Sequence, residues 1–302
     1  MLISPQSGVV GANAGKGVPD THRRCVTNIN EQPGDTVSLV YSCRLPVSTR
    51  CVNYVADLLR KHLKAIGSRW RSRTAGQIAV LVLAVLRHDQ RAADLAGGNQ
   101  VSATTIRRWT DEVIALLAAK APRLDRALKN TTKRGGEVVL LDGTLIRTRR
   151  RSGKANRKNY SLKHRSHGLL FLALTDEYGN LIWISAARRG AASEIKTARH
   201  DKICEHLRTA GLGALADLGF VGLDQDPDDP VIITGVKRTR KKKLTAGQKQ
   251  ANQTIAAARA PVEHGFAALK NWRILTRLRL NPARATALLR ALLVLTNLET
   301  TR

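Results

Sequence analysis

The run Glu137–Ile146, EVVLLDGTLI, decides how this chain is read. It is apolar and rich in β-branched residues, it follows Gly135-Gly136, and such a run reads as a buried strand. Its charged residue past the opening glutamate is Asp142, placed where the apolar stretch gives out. Two similar runs follow, GLLFLALTD (168–176) and NLIWISAARRG (180–190), joined by the turn DEYGN. Residues 192–211 read as one helix closed by Gly211. GALADLGF (213–220) and PVIITGVK (230–237) read as short strands, and from Thr245 the pattern is helical apart from a break at Asn281-Pro282. Strands, a helix, more strands and then helices describe a mixed α/β domain built on one sheet.

Upstream the period changes. Val52, Val55, Leu58, Leu59 and Leu63 recur at spacings of three and four, which predicts a helix, and TAGQIAVLVLAVLRH (74–88) predicts a second. Residues 90–118 read as a short helix, a Gly97-Gly98 turn, and a helix opened by Ser102 as N-cap. Two helices about a Gly turn suit a helix-turn-helix whose second helix turns Thr104, Thr105, Arg107 and Arg108 outward. A plain helical bundle is the competing reading. RLDRALKNTTKRGG (123–136) reads as a Lys- and Gly-rich joint. Residues 1–43 are rich in Gly, Pro, Ser and Asn without a sustained period and are expected to be disordered. The expected division is therefore an extension at 1–43, a helical module at 44–133 and the α/β domain at 134–302.

The chain has 302 residues, 43% of them hydrophobic, and a net charge of +28. That composition can bury a core, and its charge asks for a polyanionic partner. Nucleic acid fits, because each phosphate met by Lys or Arg releases condensed counterions. A membrane does not, since no apolar run approaches the roughly 18–20 residues of a spanning helix. No secretion signal is visible at the N-terminus. Cys25, Cys43, Cys51 and Cys204 form no CxxC pair or metal-ligand array, so reduced thiols in a cytoplasmic protein are expected.

Three acids occupy suggestive places. Asp142 ends the first apolar run, Asp217 lies on the short strand GALADLGF after a helix, and Glu263 is the only acid between Asp229 and Glu299, a span with fourteen Lys and Arg. Taken singly, each has a bland explanation: Asp before Gly is turn chemistry, and Glu263 can pair with Arg259 one helical turn earlier. Taken jointly, converging carboxylates repel and are relieved by hard divalent cations, which favour oxygen donors. Such an arrangement suits phosphoryl transfer with two metals.

VVLLDGTLI, KNYSLKHRSHG, ALADLGFVG and RAPVEHGFAALKNWRIL, in this order, resemble the bacterial DDE-type insertion-sequence transposases, and most closely the insertion sequence family five group. The resemblance runs from about Arg44 to the C-terminus. It implies a ribonuclease H-like catalytic domain, a mixed sheet with flanking helices, preceded by an all-α helix-turn-helix module. It implies that Asp142, Asp217 and Glu263 are the catalytic, metal-binding residues, holding Mg²⁺ (or Mn²⁺), as two ions. The implied activity is strand cleavage and strand transfer at the element's terminal inverted repeats, with no covalent protein intermediate. The implied partner is double-stranded DNA, element ends and target, bound by a homo-oligomer at the nucleoid. A DNA-binding protein descended from such an enzyme, without catalysis, is the alternative. Two positions depart from the family pattern: Asp217-Leu218-Gly219-Phe220 stands for Asp-Lys-Gly-Tyr, and Ser193-Glu194 for a His-Asp pair.

Further DNA contacts are expected at Lys163, in the basic run after Asp142, at Lys270, and in KRTRKKK (237–243) through Arg240, Lys241, Lys242 and Lys243. His164 and His167 lack partners for a zinc set. DQDPDDP (224–230) lacks the Gly and Glu of a calcium loop and reads as an exposed turn. Trp272 is expected in the core, as is the last helix, which can also serve as a subunit contact. Pro261, two residues before Glu263, suits the first turn of a new helix, and inside a continuing helix it would kink the helix and displace the carboxylate.

Overall fold

The computed structural model describes residues 26–29, 39–42 and 44–300, without 69–70, 150–154, 225, 227, 240–242 and 280. Strands β1 (Val26–Ile29) and β2 (Leu39–Ser42) pair antiparallel in a unit that ends at Arg44. They are regular structure inside the stretch expected to be disordered; the rest of 1–43 lies outside the described residues.

From Leu45 the chain forms one compact unit. It opens with four helices: α1 (Thr49–Ala65), α2 (Ala75–His88), α3 (Ala92–Gly98) and α4 (Ala103–Ala118). Their starts follow from side-chain caps. Ser48, Thr74 and Ser102 each accept an amide hydrogen bond from the first turn, and Thr74 with Gln77 completes a capping box. Helix α5 (Leu124–Lys133) occupies the stretch read as a joint. Leu124, Ala127, Leu128 and Thr131 form its buried stripe at helical spacing, and Asp125, Arg126, Lys129 and Asn130 between them mask it in the sequence.

The sheet begins with β3 (Val138–Arg147), which contains the run that opened the reading. After the short α6 (Ala155–Lys158) and β4 (Tyr160–Ser161) come β5 (Ser166–Thr175), β6 (Leu181–Ile184) and β7 (Arg188–Arg189). β5 pairs antiparallel with β3 on one side and with β4, β6 and β7 on the other. Helices α7 (Glu194–His200) and α8 (Ile203–Ala210) stand where one helix was expected. The break is at Lys202, whose φ of 53° is left-handed. Beside it, Asp201 pairs with Arg188 of β7 at 3.2 Å. Strands β8 (Gly213–Ala216) and β9 (Ile232–Thr234) then add in parallel, β8 beside β3 and β9 beside β8. Helices α9 (Ala246–Lys270) and α10 (Pro282–Thr300) complete the unit.

Alternation along β3 divides the interior in two. Val139 and Leu141 join Leu172, Leu174, Leu207 and Ala216 on the face covered by α5, α7 and α8. Leu140 and Ile146 join Phe171, Trp272 and α10 on the other face. That second core is continuous with the buried sides of α1, α2 and α4, through Leu59, Leu83, Trp109 and Leu117. The change from helices to sheet near residue 134 is thus a change of local structure within one packed interior. Trp272 is fully buried, its indole N–H donating to Thr296 Oγ1 at 3.1 Å.

Of the two readings of Pro261, the helix that continues is the one found: α9 runs through it and no new helix starts there. The proline leaves the Ala257 carbonyl without its intrahelical donor. Its own carbonyl lies against Gly179, in the β5–β6 turn, where φ is +85° and a Cβ would strike the Pro261 carbonyl. Among the described residues no helix is long and apolar enough to cross a membrane, and Cys51 and Cys204 are free thiols.

Candidate functional site

The parallel pairing of β3 with β8 places Leu141 opposite Ala216, so the residues that follow, Asp142 within β3 and Asp217 just past the end of β8, are neighbours. Asp217 caps a single 3₁₀ turn, Leu218–Phe220, its Oδ1 accepting from Gly219 N at 2.8 Å. Asp142 Oδ1 accepts from the amide of Gly143 at 2.7 Å.

A third carboxylate reaches this point, and it is Glu194 from the first turn of α7. It lies against the middle of β3 and the segment just past the end of β8. A Cβ built on Gly143 would sit 2.8 Å from Glu194 Oε1, and one on Gly219 would sit 2.6 Å from Glu194 Oε2 and 2.8 Å from Asp217 Oδ1. Distances below 3 Å are not tolerated between real Cβ atoms and their neighbours, so the two glycines are the room in which this carboxylate fits.

Two cations answer the three acids. Lys163 Nζ donates to Glu194 Oε1 at 3.0 Å and Oε2 at 3.2 Å. Arg259, from α9, comes within 3.5 Å of Asp142 Oδ2. Burial pushes the Asp142 carboxyl above its ordinary value; the Gly143 amide and Arg259 oppose this, while Asp217 and Glu194 add to it. Burial draws the Lys163 ammonium down, but the Glu194 hydrogen bond and the charges of Glu194, Asp217 and Asp142 outweigh it and hold the ammonium above its ordinary value.

Glu263 stands one turn beyond Arg259 on α9 and is exposed. Among the described residues it forms no hydrogen bond or ion pair with Asp142 or Asp217, and Arg259 pairs with Asp142 rather than with it. Nor does any set of three His, Cys, Asp or Glu among the described residues close round one point tightly enough to hold a metal. The arrangement explains why: Arg259 engages Asp142 from the α9 side, while Lys163 engages Glu194 on the α7 side.

Two clefts adjoin the acids. One, of about 490 Å³, runs along Gly143–Arg147 and is lined by His164, Ser166, Lys270 and Thr276. The other, of about 1140 Å³, is lined by Glu194 and Gly219 at one end and by Lys163, Arg157, Lys158 and Tyr160 further out. Lys270 is exposed at the end of α9, its Nζ 5.8 Å from the Phe266 ring. On α4, Thr104, Arg107 and Arg108 are exposed, and the Thr105 hydroxyl is 2.8 Å from Ser102 Oγ. Lys243 is exposed just before α9, whereas Arg240, Lys241 and Lys242 lie outside the described residues.

Arg259 and Glu194 are the site residues that sequence reading passed over. Arg259 was assigned to its helical neighbour, and only the crossing of α9 over the sheet aims it at Asp142. Glu194 was noticed as a departure from a family pattern, but no local signal says that a helix start will meet β3 and the segment past β8.

Residues 141–297 match the family model described as DDE superfamily endonuclease. The chain belongs to this family, and its mixed sheet with flanking helices is compatible with the fold of DDE nucleases. No curated protein and no solved structure matches the chain. Membership points to a transposase-like nuclease function with DNA as the class of substrate, and the family typically works with divalent metal ions. The residues suit such an ion in kind: aspartate and glutamate are hard oxygen donors, and the missing Cβ atoms of Gly143 and Gly219 let the Glu194 carboxylate come close to both aspartate-bearing segments.

Proposed function

We propose that this chain is the transposase of an insertion sequence of the family five group, cutting and joining DNA at the element's terminal inverted repeats. The observation that carries the reading is the pairing of β3 with β8, which sets Asp142 beside Asp217 inside the region matching DDE endonucleases. In this reading Asp142, Asp217 and Glu263 hold Mg²⁺ or Mn²⁺, as two ions. Such ions, when bound, activate the attacking oxygen and stabilise the leaving one. The chain's own cations do the rest. Lys163, Lys270 and the exposed Lys243 hold phosphates on the approach to the acids, with Arg240, Lys241 and Lys242 continuing that track, and a water-derived or 3′-hydroxyl oxygen is aligned beside the acids.

Residues 44–133 act as the helix-turn-helix module that grips the element's end. Ser102 caps its second helix, and Thr104, Thr105, Arg107 and Arg108 face the DNA. Residues 134–302 act as the ribonuclease H-like nuclease, and the protein works in the cytoplasm as a homo-oligomer on DNA. A second reading is favoured by one observation, the exposure of Glu263, which among the described residues has no hydrogen bond tying it to the two aspartates: a DNA-binding descendant that no longer cuts.

Incubation of a labelled terminal-repeat duplex with wild type and Asp142→Asn, each with Mg²⁺, separates the two. Cleavage by wild type alone supports the transposase. Equal silence from both, with duplex binding retained, leaves only the DNA-binding descendant. Binding itself should weaken steeply with salt, and Arg107→Ala or Arg108→Ala should each lower the slope of log affinity against log salt by about 1.

A further inference from the structure

We propose that Glu194 is a third oxygen donor of the cation site, alongside Asp142 and Asp217. The inference rests on the transposase reading and extends it to a residue outside the expected triad. Three independent features of the molecule converge on it.

The first is the cradle. Gly143 directly follows Asp142, and Gly219 follows Asp217 by two residues, and both leave out a Cβ where the Glu194 carboxylate lies. Neither glycine has a left-handed φ, so backbone conformation does not call for glycine at either place. What calls for it is the approach of one particular carboxylate to both aspartate-bearing segments.

The second is orientation. The Glu194 side chain is only 12% exposed, and it enters from α7, on the opposite side of β3 from Arg259 and α9. It supplies oxygen where the α9 residues do not reach.

The third is the cation already there. Lys163 contacts both Glu194 oxygens while its own side chain is 59% exposed. A long exposed lysine can leave for a DNA phosphate and free both oxygens for a divalent ion. The buried carboxylate cannot leave so easily, because β3 and the segment past β8 enclose it.

The test is Mn²⁺ affinity, measured on the full chain without DNA by titration with electron paramagnetic detection of free Mn²⁺. Glu194→Gln keeps the shape of the side chain and removes its charge; it should weaken Mn²⁺ binding by about tenfold or more, as should Asp217→Asn. Gly143→Ala, which reaches Glu194 but not Asp217, should give a loss like that of Glu194→Gln. The double variant Gly143→Ala/Glu194→Gln should lose little beyond either single one, because both remove the same contact. Lys163→Met should tighten Mn²⁺ binding by removing a competing cation, and the gain should shrink when Glu194→Gln is already in place, which a purely structural Glu194 would not produce. Wild-type affinity in Glu194→Gln, with binding lost in Asp142→Asn and Asp217→Asn, overturns the assignment of Glu194 and leaves the transposase reading standing. Wild-type affinity in all three overturns the cation site itself, and the assignment falls with it.

Discussion

Around Asp224 both carboxylate oxygens are engaged. Oδ1 accepts from Arg208 at 2.7 Å and from the Asp226 amide at 3.3 Å, and Oδ2 accepts from the Val231 amide at 2.9 Å. Around Asp142, one amide and a guanidinium at 3.5 Å face two further carboxylates. Both aspartates are shielded and both have an arginine at hand. Burial raises each, yet at Asp224 the hydrogen bonds win and hold the carboxyl below its ordinary value, whereas at Asp142 burial wins. An acid that braces a turn is surrounded by donors; an acid kept for a ligand is left with less than it needs. The DQDPDDP segment, read from sequence as a mere exposed turn, is such a brace, with Arg208 reaching Asp226 and Asp229 as well.

The contrast can be broken most decisively by activity. Asp217→Asn should cut Mg²⁺-dependent cleavage of a terminal-repeat duplex by about 10³-fold or more, the several kcal/mol that metal-assisted charge stabilisation supplies. Asp224→Asn, the same chemical change, should leave the rate at the wild-type level. A similar loss in both variants would erase the distinction.

Thermal stability gives the next largest effect. At neutral pH Asp224→Asn should lower Tm by about 2–4 °C, the shift expected when one hydrogen-bonded ion pair is lost from a domain of this size. Because the folded value is depressed, the stability tied to Asp224 is complete above the ordinary carboxylate range and is lost as pH falls through the depressed value. The difference between wild type and variant should therefore vanish in strong acid. Melting curves across that range check the sign.

The smallest effect runs the other way. Asp142 is raised, so its ionised form costs stability that is absent below the ordinary carboxylate range and sets in as pH rises through the raised folded value. Asp142→Asn should thus melt slightly higher than wild type at neutral pH, by less than Asp224→Asn falls, and the gain should disappear at low pH. A variant that melts lower at neutral pH would mean that the Arg259 pair outweighs burial.

Much of the sheet was legible in the sequence because its strands are dense apolar runs: β6, β8 and β9 fall within the expected stretches, while β3 runs one residue past its stretch and β5 begins two residues before its own. The helices of residues 49–118 were legible through their periodicity and, for α4, the capping residue Ser102. What could not be read depends on encounters between distant segments. The division of α7 from α8 turns on a lysine in a left-handed conformation, which no residue preference announces, and on an arginine of β7 that reaches the joint. The adjacency of Asp142 and Asp217 needed the parallel register of two strands, 75 residues apart. The entry of Glu194 needed two absent methyl groups, and absence is legible only when the neighbour is known.

Helix α10 fills the core beneath α1, α2 and α4, and its Glu299 accepts hydrogen bonds from the amide and hydroxyl of Ser48, the residue that caps α1. During synthesis, then, the first helices leave the ribosome long before the segment that shelters their leucines. Until residues 282–300 are out, those helices carry bare oily flanks and await a partner that has yet to be translated. A stop codon in that last stretch yields no trimmed-down DNA cutter, only a sticky nascent polypeptide for chaperones and proteases to deal with.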